Sequence, residues 1–105
     1  MPSIEQLEKL LAANDRDAFV LYALGQEHAQ AGDHETALDY YDRCLAVDAL
    51  YAYAYYHKAR SLESLDRIAD ARDTLTEGLD AAHRAGDAKA VNEITAYLAD
   101  PALTP

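Results

Sequence analysis

Basic residues are scarce in this chain: nine lysines and arginines stand against nineteen aspartates and glutamates, for a formal net charge of −10. That balance argues against nucleic acid as a partner, because a phosphate backbone is held by a basic surface. Lysine occurs only as Lys9, Lys58 and Lys89, aspartate outnumbers glutamate, and alanine is abundant. Such a surface repels itself in dilute buffer and is relieved when salt screens it. A salt-rich cytoplasm is the preferred expectation; an acidic protein of an ordinary cell is the alternative. Cysteine is reduced to Cys44, which excludes an internal disulfide and agrees with a reducing compartment. No apolar run approaches the roughly 20 residues of a membrane helix. The opening MPSIEQLEK lacks the basic start and apolar centre of a signal peptide. A soluble, cytoplasmic protein with no membrane partner is expected.

The groupings that carry catalysis are missing too. His28, His34, His57 and His83 do not share a metal-binding spacing, and each reads as a surface or rim residue. Four scattered glycines form no phosphate loop. The many carboxylates, Asp39, Asp42, Asp70, Asp73 and Glu77 among them, lack calcium-loop spacing and read as a solvated face. No enzyme, cofactor or metal is expected. Half of the chain is nevertheless apolar, enough to exclude disorder, and 105 residues fit one domain.

Helix formers dominate and no β-branched run alternates, so strands are not expected. Ser3 and Gln6 make a capping box for a helix over 4–13. Asn14 to Asp17 ends it and starts a second over 18–31. Gly32-Asp33 is a turn and cap before a third over 34–47. Asp48-Ala49 separates a fourth over 51–65, Asp66 caps a fifth over 67–84, and a sixth follows Gly86-Asp87 and runs to Ala99. Asp100-Pro101 closes that helix, since a residue before proline avoids the helical region.

The stretch QAGDHETALDYYDRCL, 30–45, is echoed thirty-four residues later by SLDRIADARDTLTEGL, 64–79. At that shift Gly25 falls on Ala59, Gly32 on Asp66, Ala37 on Ala71, Tyr41 on Leu75, Cys44 on Gly78 and Leu45 on Leu79. Small positions match small ones and large apolar positions match large ones. Antiparallel helices approach closely only where side chains are short, and a large neighbour then fills the space. By that logic Cys44 is a buried, inert thiol. Shifting backwards sets Tyr41 on Leu7 and Leu45 on Leu11, so the first helix resembles half of a preceding repeat.

This period and its order of small and large residues resemble the tetratricopeptide repeat. Its positions are filled by Leu21, Leu24, Gly25, Gly32, Ala37, Tyr41 and Cys44 in one copy. Tyr55, Lys58, Ala59, Asp66, Ala71, Leu75 and Gly78 fill them in the next. His28, Lys58 and Ala49 depart from the pattern, where tyrosine, leucine and proline are typical. The resemblance implies an all-α fold, an antiparallel helix-hairpin repeat (TPR-like α-solenoid) of about six helices in a right-handed arc. It divides the chain into a capping half-repeat at 1–17, repeats at 18–51 and 52–85, and a capping helix in 86–105. Val91, Ile94 and Leu98 give that last helix an apolar stripe, with Tyr97 beside it.

Family positions two, five, six and nine of each repeat's first helix face a concave groove. Carried onto this chain they are Phe19, Tyr22, Ala23 and Gln26, then Tyr53, Tyr56, His57 and Arg60. Aromatic and arginine side chains are common interface anchors. The resemblance therefore implies a non-enzymatic interaction module holding a peptide or partner helix, itself a monomer. Alternatives are an assembly unit that self-associates through its end helices, or a fragment of a longer repeat protein. The family's clamp for a chaperone's C-terminal carboxylate is not expected, because the corresponding positions hold Tyr22, Gln26, His57, Asp87 and Val91.

Overall fold

A computed structural model describes residues 2–104 of the chain; Met1 and Pro105, the outer ends of the first and last expected segments, lie outside the described residues. Six α-helices and one short 3₁₀ turn follow one another, and the described residues contain no strand. They are α1 (Ile4–Ala13), α2 (Ala18–Gln30), α3 (His34–Val47), α4 (Ala52–Ser64), α5 (Ile68–Ala85) and α6 (Ala88–Leu98), then the turn Pro101–Leu103. Consecutive helices pack on one another, and α2 and α6 also both touch α4.

Most helix starts are written in side chains. Ser3 Oγ accepts from Gln6 N while the Ser3 N–H donates to Gln6 Oε1, so the expected capping box is present. Asp17, Asp33 and Asp87 accept from the amides of Val20, Thr36 and Ala90. Such caps satisfy amides that have no partner within the helix. Asp66 is a correction. The residue before α5 is Arg67, without a side-chain cap, and Asp66 instead takes the left-handed conformation at φ 60°. It does the backbone work of Gly32, φ 83°, one repeat earlier.

The period-34 matches mark the contacts between paired helices. A Cβ on Gly25 would lie 2.4 Å from the Tyr41 ring, and one on Gly78 would lie 2.6 Å from Tyr55 Cβ. Ala37, Tyr41, Cys44, Ala59, Ala71 and Leu75 are all buried. Burial pushes the Cys44 thiol up to about 12, as suits a packing residue rather than a nucleophile. The departures from the family pattern are also accommodated. Lys58 Nζ pairs with Asp42 at 2.7 Å, His28 stacks on Tyr40, and Tyr55 Oη donates to the Ala49 carbonyl at 2.9 Å.

Helix α1 covers the front of the stack with Leu7 and Leu11. At the back, Ala90 and Ile94 are buried, whereas Val91 and Leu98 of the expected stripe are only half-buried. The chain does not end its packing at Asp100. Asp100 accepts from Ala102 N, Pro101 opens a further turn, and Leu103 is fully buried. Arg72 of α5 donates from one nitrogen to the carbonyls of Leu98 (3.3 Å) and Leu103 (3.1 Å), tying both segments down.

Candidate binding groove

Residues three, four and seven apart share a helix face. Tyr22 and Gln26 of α2, and Tyr53, Tyr56, His57 and Arg60 of α4, are spaced in that way. Because α2 and α4 are in contact, their side chains meet. Tyr51 lies 5.0 Å from Tyr22 between ring centres, Tyr22 lies 5.6 Å from His57, and His57 lies 5.2 Å from Tyr56. Tyr56 reaches Tyr97 of α6 at 5.3 Å, and Tyr53 flanks Tyr56 at 6.3 Å. These separations are those of favourable tilted and edge-on ring pairs. Tyr41 lies beneath Tyr22 and His57, at 6.2 and 6.5 Å. One ring row thus crosses α2, α4 and α6.

Two clefts border the row. One of about 280 Å³ opens between α2, α3 and α4 and is lined by Gln26, Gln30, His34, Tyr41, His57, Arg60, Ser61 and Ser64, together with Ala29. The other, of about 500 Å³, opens between α4 and α6 and is lined by Tyr56, Arg60, Glu63, Glu93, Ala96, Tyr97 and Asp100. Arg60 is exposed, lines both, and among the described residues has no carboxylate in ion-pair range. Ser61 is buried and paired with His34 Nδ1 at 3.0 Å. Tyr97 donates its hydroxyl hydrogen to Glu63.

The row is electrostatically quiet. Burial, and then the neighbouring Arg60 charge, lower the His57 pKa to about 4, so its ring is neutral at pH 7. A long 3.5 Å contact from Gln26 Nε2 to His57 Nε2 fits that state, since the nitrogen can then accept. Burial raises the phenols of Tyr22 and Tyr97, Tyr97 further through its bond to Glu63. Tyr53 is raised first by burial and then by Glu93, and its buried hydroxyl has no hydrogen-bond partner in range among the described residues.

Six of the residues expected from the sequence, Tyr22, Gln26, Tyr53, Tyr56, His57 and Arg60, come together here. Phe19 does not: it is 65% exposed, and it belongs neither to the ring row nor to either cleft. Ala23 is buried in the core. The third helix departs from the expected register. The starts of α2 and α4 are thirty-four residues apart, but those of α4 and α6 are thirty-six apart. Helix α5 has eighteen residues against fourteen in α3, and a shorter connection recovers only part of the excess. The groove positions of α6 therefore move from Asp87 and Val91 to Lys89 and Glu93, and Glu93 indeed lines the second cleft. The carboxylate clamp remains unmatched at Tyr22, Gln26 and His57. Tyr97 and Glu63 had no signal in the repeat; only the place of Tyr97 beside an apolar stripe pointed to it.

Among the described residues, no group of three histidines, cysteines or carboxylates is placed to hold a metal ion, and no helix is long and apolar enough to cross a membrane.

Stacked helical hairpins, with first helices side by side and an aromatic face across them, define an all-α scaffold of the helical-repeat class. Residues 18–50 match the tetratricopeptide repeat. A TPR repeat-containing protein of Pseudomonas aeruginosa is 33% identical over 95 residues, covering 90% of each chain. The chain belongs to the tetratricopeptide repeat family. Among solved structures, a tetratricopeptide repeat domain protein of Salinibacter ruber is 34% identical, with a TM-score of 0.72, over 78% of this chain and 83% of that one. A Bordetella parapertussis protein is 28% identical, with a TM-score of 0.79, over 93% of this chain and 85% of that one. The family's fold is a protein-interaction scaffold rather than a catalytic one.

Proposed function

We propose that the face built by α2, α4 and α6 binds a segment of a partner protein, with Tyr22, Tyr53, Tyr56 and Tyr97 as the contact surface and Gln26, His57 and Arg60 orienting its polar groups. The observation that carries this reading is the continuous row of rings flanked by an exposed arginine that, among the described residues, has no carboxylate in ion-pair range. Tyrosines give large contact area at low conformational cost, and arginine adds directional donors. Covering the row would remove apolar surface from water without first remodelling the helices. Arg60 has its guanidinium available for a carboxylate or carbonyl.

Affinity capture from the lysate of the source cells tests the proposal, with wild type and a Tyr56→Ala, Arg60→Glu variant of unchanged circular dichroism as baits. A protein held by the first and released by the second supports the groove. Equal retention by both removes the groove from the interaction.

A second reading, self-association through the end helices, is favoured by Leu10, which is exposed on α1 with its side chain in solvent. Light scattering across protein concentration decides it: a rise in mass that Leu10→Glu abolishes supports assembly, and a constant monomer mass excludes it.

A further inference from the structure

We infer that the groove is divided into two halves of opposite preference, so that the partner segment carries an acidic side chain and a basic one about three residues apart. This rests on the groove being the binding face and specifies what it accepts. The cleft between α2 and α4 is lined by amide, hydroxyl and imidazole groups and by Arg60, and no carboxylate among the described residues lines it. In a chain of net charge −10, a polar cleft free of acids is a local reversal. Gln26 and Arg60 can donate to a carboxylate there, and the guanidinium supplies the charge.

The cleft on the other side of Arg60 has the opposite character. Glu63, Glu93 and Asp100 line it together with the rings of Tyr56 and Tyr97. Carboxylates supply acceptors for an ammonium or guanidinium, and aromatic faces attract a cation. Whole-molecule charge does not account for this arrangement, because the two clefts differ in sign while sharing Arg60. A wholly acidic segment would press a carboxylate against Glu63 and Glu93. A wholly basic one would bring a cation to Arg60 in a cleft without an acid. Adjacent packed helices have axes roughly 8–10 Å apart, and an extended chain advances roughly 3.3 Å per residue. The two charges of the ligand are therefore separated by about three residues when the segment is extended.

The test is a selection from a phage-displayed library of random twelve-residue peptides on the wild-type protein, repeated on Tyr56→Ala, Arg60→Gln and a Glu63→Gln, Glu93→Gln variant. Glutamine keeps the shape of the glutamates it replaces while removing their charge, and at position 60 it removes the guanidinium while leaving a polar side chain. Recovered peptides should need Tyr56 and carry an acid and a base at the stated spacing. Arg60→Gln should weaken their binding about fivefold through the acid alone, and the double glutamine variant about fivefold through the base alone, as for solvent-accessible charge pairs. Peptides that need Tyr56 but carry charges of one sign, or none, overturn the division while leaving the groove as the binding face. Recovery of no peptide that depends on Tyr56 overturns the groove reading itself, and the division with it.

Discussion

The Tyr41 ring occupies the space that any side chain at position 25 would need: a Cβ on Gly25 would stand 2.4 Å from Cε1. The second repeat has Ala59 and Leu75 at the same two places, both fully buried. One pair is thus smallest-with-largest and the other is more even, as expected if what is preserved is the filled volume between two helices. At the second place the more even pair comes first: Leu21 and Cys44 are both buried in one repeat, and Tyr55 packs on Gly78 in the next.

Gly25→Ala should cost about 1–3 kcal/mol by overpacking, less about 0.5–1 kcal/mol recovered because alanine favours a helix. Combining it with Tyr41→Leu, which reproduces the pair of the second repeat, should cost less than the sum of the single changes by at least about 1 kcal/mol. Urea unfolding of the four proteins gives the coupling. Additive losses would mean that the two residues do not share a space.

Asp66 sits at φ 60° where the first repeat has a glycine. Asp66→Gly should therefore stabilise the protein by about 0.5–1 kcal/mol, the residual strain of a left-handed residue less the entropy glycine adds to the unfolded chain. Gly32→Ala should destabilise by a similar amount. Thermal unfolding that moves in the same direction for both would contradict the turn assignment.

The turn Pro101–Leu103 is held by apolar burial and by Arg72. Leu103→Ala should cost about 2–4 kcal/mol. Arg72→Ala should cost about 1–2 kcal/mol, the worth of hydrogen bonds from a charged donor. Amide exchange at Leu103 and Thr104 should accelerate in both variants. Unchanged protection there would place this turn outside the cooperative fold.

His57 gives the fold an acid limit. Its pKa falls from an ordinary 6.5 to about 4 on folding, through burial first and Arg60 second. Below 6.5 the unfolded chain takes up the proton more readily than the folded one, so stability falls as pH drops towards about 4, and nothing is lost above 6.5. Allowing for partial solvent screening, the loss is about 2 kcal/mol at pH 4. Denaturation of wild type and His57→Gln at pH 7 and pH 4.5 should show the wild type losing more. Parallel losses would remove His57 as the cause.

The helices, the caps at Ser3, Asp17, Asp33 and Asp87, and the small-to-large contacts of the first two repeats were legible because each rests on local chemistry; the cap expected at Asp66 was not, because that residue turns the chain instead. Tyr22, Tyr56 and His57 could be placed on one face because the resemblance to the tetratricopeptide repeat implied which positions of each first helix line the groove. The third groove helix was not legible. Helix α5 gained four residues and the connection after it lost two, and such a change of phase leaves no mark when only one copy follows. Phe19 occupies the same nominal position as Tyr53 yet lies exposed, and α1, the helix before it, carries no aromatic side chain. Leu103 was missed because a residue before proline ends a helix but does not prevent a new turn. The pairing of Tyr97 with Glu63 spans two helices and depends on the α6 register, which only three-dimensional packing fixes.

The most direct test of the groove is a calorimetric titration of the captured partner into wild type and into Tyr56→Ala, with folding of the variant checked by circular dichroism. Tyr56 joins the rings of α4 to Tyr97 of α6, so its removal interrupts the row at its centre. With the groove as the binding face, Tyr56→Ala should bind more weakly by about 2 kcal/mol, roughly thirtyfold in Kd. Equal affinity for the two proteins would contradict it.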